Sequence, residues 1–350
     1  MQVFGSISYT KVKQIGVGQG MNSEVYLAHD PQLGGQIAAK EIDKTRFVDP
    51  TVYFQEAQTM FAVAHDNVVA VQYACQTPKL ISLVMPYFRK GSLADRIKDR
   101  PLQLSDVLRV TQGVLAGLAH IHLTGFIHFD VKPSNVLFSK TDRPMVADFG
   151  QSRTIAPGGI VSVPPLYLVS QPPETVRTGV ATQLADIYHV GLLMYRALNG
   201  DALFISQVPP SQALLQAQIS AGKFPDRKRF MPHVPSRLRT FVRKALRVNP
   251  SERFQTATQM ADALSRVRFA LDWSVEPLPL GGFRWRAVRA GQCDLVVELA
   301  DQGGSWIVET FTEKSGEPRR AKEKTGNWRT GLSLDDAYAH LEDVFERLRQ

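Results

Sequence analysis

Asp130, Lys132, Asn135 and Asp148 bring two carboxylates, an ammonium and an amide into one short stretch of sequence. Asp148 supplies a hard oxygen of the kind that holds Mg²⁺. Upstream, Gly18-Gln19-Gly20-Met21-Asn22-Ser23-Glu24-Val25 lies between two alternating stretches. Glycines there let backbone amides approach a bulky anion without a Cβ in the way. Lys40 closes Ala38-Ala39-Lys40 at the end of a partly apolar stretch. A lysine so placed needs a counter-charge, because burying an unpaired charge is costly. Each feature alone has an ordinary explanation. A glycine loop can be a plain hairpin, and a single lysine is usually solvated. Together they describe a site that grips a metal-bound polyanion.

The elements that would position these residues follow from periodicity. Tyr9 to Ile15 and Glu24 to Ala28 read as strands around the glycine-rich turn, and Ile37 to Glu41 as a third. A short helix is expected over Phe54 to Ala64, then strands over Val68 to Ala74 and Leu80 to Met85. Beyond Gly91, Val107, Val114, Leu118 and Ile121 recur at helical spacing and predict a long helix with one buried stripe. Leu184, Ile187, Val190, Met194 and Leu198 predict a second, and Leu214 to Leu264 is helical in pieces. A strand-rich part followed by a helix-rich part is an α+β arrangement with a cleft expected near Tyr87 to Gly91.

These motifs resemble the protein kinase family, in its eukaryotic-type (Hanks-type) serine/threonine branch, with a bacterial member suggested by the methionine of the glycine loop. The resemblance covers about three quarters of the chain and implies a bilobal fold over 9–273, with a strand-rich lobe near 9–86 and a helical lobe near 91–273. It implies that Gly18, Gly20, Ser23 and Val25 cover ATP, with Ser23 where the family usually has its third glycine. Ala38, Met85, Tyr87 and Phe88 would flank or contact adenine at the hinge, Leu83 to Phe88. Lys40 would hold the α- and β-phosphates and pair with Glu56. His128-Phe129-Asp130-Val131-Lys132-Pro133-Ser134-Asn135 looks like the catalytic loop. Asp130 would accept or orient the proton of the substrate hydroxyl, Lys132 would neutralise the γ-phosphate, and Asn135 would bind metal. Asp148-Phe149-Gly150 would supply the second metal ligand. His128, Phe149, Gly150, Glu174, Asp186 and Arg253 would support the site, with Arg253 the ion-pair partner of Glu174. The implied reactants are ATP, Mg²⁺ (Mn²⁺ as an alternative ion) and a protein with a serine or threonine acceptor, the chain itself included. Lys132-Pro133 resembles the serine/threonine class. The competing readings are a catalytically inactive kinase-fold scaffold and a small-molecule kinase.

Two departures stand out. Phe129 occupies the place where many kinases carry an arginine that receives a phosphate from the activation segment, and phenylalanine cannot make a charge-assisted hydrogen bond. Activity independent of that phosphate is therefore expected. Residues 155–174 are rich in proline and apolar side chains, with Tyr167 where the family usually has threonine.

Behind the kinase-like region, SVEPLPLGG at 274–282 reads as a linker. Phe283 to Val288, Asp294 to Leu299 and Ser305 to Phe311 read as three strands, with Gly303-Gly304 as a tight turn. Residues 314–330 are expected to be a loop. Leu334, Ala337, Tyr338, Leu341, Phe345 and Leu348 mark an amphipathic helix, and Ser333 with Asp336 resembles its capping box. Residues 283–350 thus form a small accessory α+β domain of no recognised family. Trp285, Trp306 and Trp328 are its expected core.

The formal net charge is +8. Basic clusters at 227–229, 237–247 and 319–324 face water or an acidic protein partner. No aromatic-basic pattern supports a nucleic-acid platform. The two cysteines, Cys75 and Cys293, are far apart and belong to no metal-ligand cluster. With no secretory signal and no apolar run near the ~18 residues of a membrane span, a cytoplasmic protein without a transmembrane segment is expected.

Overall fold

β-branched and alternating residues build an antiparallel sheet at the N-terminal end. The computed structural model of the protein describes residues 7–16, 23–46, 54–164, 167–314, 317–319 and 327–348. The first sheet contains β1 (Thr10–Ile15), β2 (Ser23–Asp30), β3 (Gly35–Asp43), β4 (Tyr73–Gln76) and β5 (Leu80–Pro86), in the order β1-β2-β3-β5-β4. Helix α1 (Gln55–Ala62) crosses between β3 and β4. Register carries the chemistry here. Lys40 sits opposite Val25 on one side and Leu83 on the other, and Ala38 lies opposite Met85. The strand expected over Val68 to Ala74 is shorter. Val68 makes only an isolated bridge to Val146, and Val68 and Val69 are buried in the helical lobe's core. Their apolar side chains anchor the lobe junction instead of extending the sheet.

The second lobe begins with α2 (Leu93–Ile97), whose start is closed by a Ser92–Asp95 capping box. Helix α3 (Leu104–Leu123) buries one stripe that includes Val107, Val114, Leu118 and Ile121. Short strands follow: β6 (Phe126–Ile127), β7 (Val136–Phe138), β8 (Pro144–Val146), β9 (Arg153–Thr154) and β10 (Val161–Ser162). They pair as β6 with β9 and β7 with β8. After α4 (Pro173–Thr178), β11 (Val180–Ala181) pairs with β10. Helix α5 (Leu184–Asn199) is buried almost all round, as a core helix must be. Around it stand α6 (Asp201–Ile205), α7 (Gln212–Ser220), α8 (Ser236–Ala245) and α9 (Ala257–Ser265). Each lobe is therefore a different solution to burial. The first is a sheet with one helix and the second a helical stack.

The stretch expected as a linker opens with a strand instead. β12 (Trp273–Pro277) pairs with β13 (Gly282–Ala287), and β14 (Asp294–Asp301) and β15 (Trp306–Lys314) extend the same antiparallel sheet. Buried Trp273 and Val275 alternate with their neighbours, which outweighs the prolines that suggested a break. The loop expected over 314–330 also holds backbone pairing. β16 (Glu317–Arg319) and β17 (Arg329–Leu332) both pair with β15, giving six strands where three were expected. Helix α10 (Leu334–Leu348) packs on this sheet, and Ser333 Oγ accepts from the Asp336 amide at 3.2 Å while bonding its carboxylate at 2.6 Å.

This C-terminal sheet shares a core with the helical lobe. Trp273, Trp285 and Phe345 belong to the same buried cluster as Leu238 and Phe241 of α8. Trp285 is fully buried and donates its indole N–H to His233 Nδ1 at 3.0 Å. Trp306 and Trp328 are half-buried, and Trp328 donates to the Thr310 carbonyl at 2.7 Å. At the rim, Asp272 accepts from Gln103 and from the Ser105 amide, and Arg239 meets Glu342 at 3.0 Å.

Candidate active site

Strand β3 delivers Lys40 into the junction between the lobes. Its Nζ lies 2.7 Å from Glu56 Oε1 on α1 and 2.6 Å from Asp148 Oδ1. Burial opposes charge on the lysine, yet the two carboxylates outweigh it and hold the ammonium above its ordinary range. Burial pushes Glu56 up, with Asp148 adding to the effect, against the pull of Lys40. The two shifts compete for one proton. Two carboxylates act on the lysine and only one ammonium on Glu56, so the proton stays on Nζ. Burial likewise opposes charge on Asp148, but Lys40 and then Lys132 hold its carboxyl below the usual range.

The catalytic-loop candidates form a second cluster. Asp130 Oδ2 accepts from Lys132 Nζ at 2.7 Å and from Asn135 Nδ2 at 2.9 Å, and Asn135 Nδ2 also reaches the Asp130 carbonyl at 2.8 Å. The amide of Asn135 is thereby oriented, with its Oδ1 left for another partner beyond a 3.4 Å contact from Ser134. Asp130 Oδ1 takes no hydrogen bond among the described residues.

Both clusters rest on buried Asp186 at the start of α5. Its carboxylate accepts from the amides of His128 and Phe129, each at 2.9 Å, and contacts His122 Nε2 at 2.8 Å. Burial disfavours this charge, but the hydrogen bonds and the nearby imidazoles of His122 and His189 drive its pKa far below the ordinary value. The amides need this anchor because Phe129 has φ 65°, a left-handed conformation rare for a bulky side chain. Asp148 has φ 66° as well, which turns its carboxylate toward Lys40. Phe149 is buried and meets the His128 ring edge-on at 4.8 Å. Gly150 stands where a Cβ would lie 3.4 Å from Lys40 Nζ and 3.5 Å from Glu56.

The activation-segment candidates also meet. Arg253 donates to both oxygens of Glu174, at 2.7 and 2.6 Å, and to the carbonyls of Leu184 and Arg247. Phe129 packs with Ile127, Ala181 and Ala185, and Ile155, Val161 and Val163 lie against them.

The structure brings Lys40, Glu56, Asp130, Lys132, Asn135 and Asp148 into two adjoining polar clusters, with Lys132 acting electrostatically on Asp148. Ser23 and Val25 lie on β2, and Ala38 on β3 faces Met85 on β5. Tyr87 and Phe88 follow β5, and the Phe88 carbonyl accepts from the Gly91 amide at 3.1 Å. Gly18 and Gly20 lie outside the described residues. Sequence reasoning missed His122. Nothing in its spacing marks it, and only the fold brings the last turn of α3 onto Asp186. Among the described residues no group of three or more His, Cys, Asp or Glu is disposed to hold a metal. A carboxylate with an amide remains, a set suited to an ion that keeps other oxygen ligands.

A family model described as protein kinase domain matches residues 9–264. The chain is 28% identical over 326 residues to serine/threonine-protein kinase PrkC of Bacillus subtilis, covering 87% of this chain and 48% of that protein. It is 31% identical over 262 residues to serine/threonine-protein kinase PknB of Mycobacterium leprae, covering 72% of this chain and 42% of that protein. It is 32% identical over 270 residues to serine/threonine-protein kinase pkn2 of Myxococcus xanthus, covering 73% and 32%. The chain thus spans less than half the length of these curated relatives. With the match running through both lobes, the chain belongs to the protein kinase domain family.

Proposed function

We propose that the protein transfers the γ-phosphate of ATP to serine or threonine hydroxyls of proteins. The observation that carries this reading is the double contact of Lys40 with Glu56 and Asp148. One ammonium joins the sheet, α1 and the Asp148 strand end into a single preorganised charge array. Phosphoryl transfer asks little covalent chemistry of the protein; it needs alignment and compensation of developing charge. Lys40 would hold the nucleotide's phosphates. Asp130 would orient the acceptor hydroxyl through Oδ1 and take its proton, while Lys132 and Asn135 fix the carboxylate through Oδ2.

A divalent ion fits the donor set. Asp148 has one oxygen beyond the Lys40 contact, and the Asn135 carbonyl oxygen is turned away from Asp130 by the amide's own hydrogen bonds. These two would hold Mg²⁺, with Mn²⁺ as the alternative, and the bound ion would neutralise phosphate charge. Gly18, Gly20, Ser23 and Val25 would cover the nucleotide. Ala38, Met85, Tyr87 and Phe88 would line its base.

The test uses labelled ATP with Mg²⁺ or Mn²⁺, the purified chain, its Asp148→Asn variant and a panel of basic proteins. Label on serine or threonine of protein, lost in the variant, is the expected result. Label appearing only on small metabolites, or equally in the variant, would overturn the reading.

We further propose that the accessory unit begins at β12 and acts as a wall of the helical lobe, because Trp285 and Phe345 share that lobe's core. Deleting 278–350 would then expose apolar surface and cost folding, whereas a pure recruitment module would leave generic activity intact. No helix among the described residues is long and apolar enough to cross a membrane. A cytoplasmic location of these lobes is proposed from the chemistry of ATP supply.

A further inference from the structure

The largest block of like charge lies away from the Lys40 site. From Arg227 to Arg247 the chain carries eight cations, Arg227, Lys228, Arg229, Arg237, Arg239, Arg243, Lys244 and Arg247, and no carboxylate. Helix α8 and the turn after it gather part of this block around a cavity of about 650 Å³ lined by Thr240, Arg243, Lys244, Arg247 and Glu252.

The cations in this cavity are held in place but left electrically unspent. Arg243 uses Nε–H on the Arg227 carbonyl at 2.9 Å, and its guanidinium lies 5.8 Å from the Phe230 ring centre. Lys244 sits 4.4 Å from the Phe254 ring centre. Neither makes an ion pair with a carboxylate among the described residues. Arg247 has one carboxylate contact, a long one of 3.9 Å to Glu252. Three cations and one carboxylate leave the cavity two positive charges in excess. That excess matches one phosphomonoester, which carries about −1.5 to −2 at neutral pH and presents three acceptor oxygens. Thr240 adds a hydroxyl donor beside them.

The surroundings select the ligand's class. Phe230 and Phe254 are buried beneath their cations, so no exposed ring is offered for base stacking, as a single-stranded nucleic acid would need. We propose that this cleft is a docking site for a phosphorylated serine or threonine in a protein segment, separate from the nucleotide site. The backbone ties the cleft to the activation segment. The Arg247 carbonyl accepts from Arg253 Nε at 2.8 Å, and Arg253 holds Glu174 with both nitrogens of its fork. A phosphoprotein seated here therefore rests beside the anchor of that segment.

Fluorescence anisotropy without ATP tests the proposal. A short labelled peptide with one phosphoserine is compared with its unphosphorylated twin and its Ser→Glu twin, all against the full chain. The phosphopeptide is expected to bind at least about tenfold tighter than the unphosphorylated twin, the size of one charge-assisted hydrogen bond. The double variant Lys244→Ala/Arg247→Ala is expected to lose about the same factor. Glu252→Gln is expected to bind about threefold tighter, since it removes the competing carboxylate, and a misfolded protein would not gain affinity. Equal binding of all three peptides would overturn the proposal. So would unchanged binding by both variants, or binding to phosphatidylserine vesicles with none to the phosphopeptide.

Discussion

Phe129 and Asp130 are neighbours in sequence and opposites in environment. Asp130 faces a polar cluster in which Lys132 and Asn135 hold one of its oxygens and the other stays open. Phe129 turns into an apolar pocket with Ile127, Ala181 and Ala185, covered by the activation-segment residues Ile155, Val161 and Val163. On one side, geometry is fixed by charge and hydrogen bonds. On the other, the same peptide is fixed by burial. The difference teaches how this chain orders its activation segment. Packing on a phenyl ring is expected to do the holding that a phosphate–arginine pair would otherwise do, since packing needs no prior phosphorylation.

The polar side breaks hardest. Asp148→Asn removes a charge from Lys40 and one of the two oxygens proposed to hold the metal, and turnover is expected to fall about a thousandfold or more, measured by initial rates at saturating ATP. Asp130→Asn is expected to cost roughly 10²–10⁴ in turnover while nucleotide affinity holds. Turnover within about tenfold of the parent in both variants would end the assignment of the polar side.

The apolar side should fail differently. Phe129→Ala is expected to cost about 3–5 kcal/mol of folding stability by urea unfolding, with faster protease cleavage between residues 155 and 163. Phosphatase treatment of the parent protein is expected to leave turnover unchanged. If treated protein lost its activity and regained it on rephosphorylation, the packing account of the activation segment would be wrong.

What the sequence made legible follows the same divide. Lys40, Glu56, Asp130, Asn135 and Asp148 were readable through their resemblance to the protein kinase motifs, and the structure brings them together. Helices α3 and α10 were readable because each buries a regular stripe, and α5 because its apolar residues recur at helical spacing although the helix is buried almost all round. The Phe129 pocket was half legible. The missing arginine was visible, but its replacement partners lie at positions 155–163 and 181–185, and no spacing rule joins them. Strand β12 hid behind two prolines and two glycines, and β16 and β17 hid in a charged stretch, since edge strands carry little alternation to read. His233 gave no signal at all, because it lies in the turn before α8 and its partner Trp285 arrives from a strand of the C-terminal sheet.

That last contact extends the comparison to the C-terminal sheet. Trp285→Phe keeps one aromatic ring but removes the N–H that reaches His233, together with part of the buried indole volume. The expected loss is about 1–2 kcal/mol, with the kinase lobes and the C-terminal sheet still melting as one transition in calorimetry. Two separate transitions would mean that the shared core does not couple them.

The smallest signal concerns Asp186, which supports Phe129 and Asp130 at once. Its folded pKa lies far below the unfolded value of about 3.9. Between those values the unfolded chain binds a proton that the native carboxylate refuses, so stability falls as pH falls. The contribution is complete above about pH 5 and declines by at most about 1.4 kcal/mol per pH unit below about pH 4. Asp186→Asn removes the titration while retaining one oxygen for the amides of His128 and Phe129. The stability gap between parent and variant should narrow as pH falls below about 4, read from urea unfolding at each pH. A gap that stayed constant into acid would show that the charge on Asp186 does not hold the loop. The His128 and Phe129 amide anchors would then rest on hydrogen-bond geometry alone.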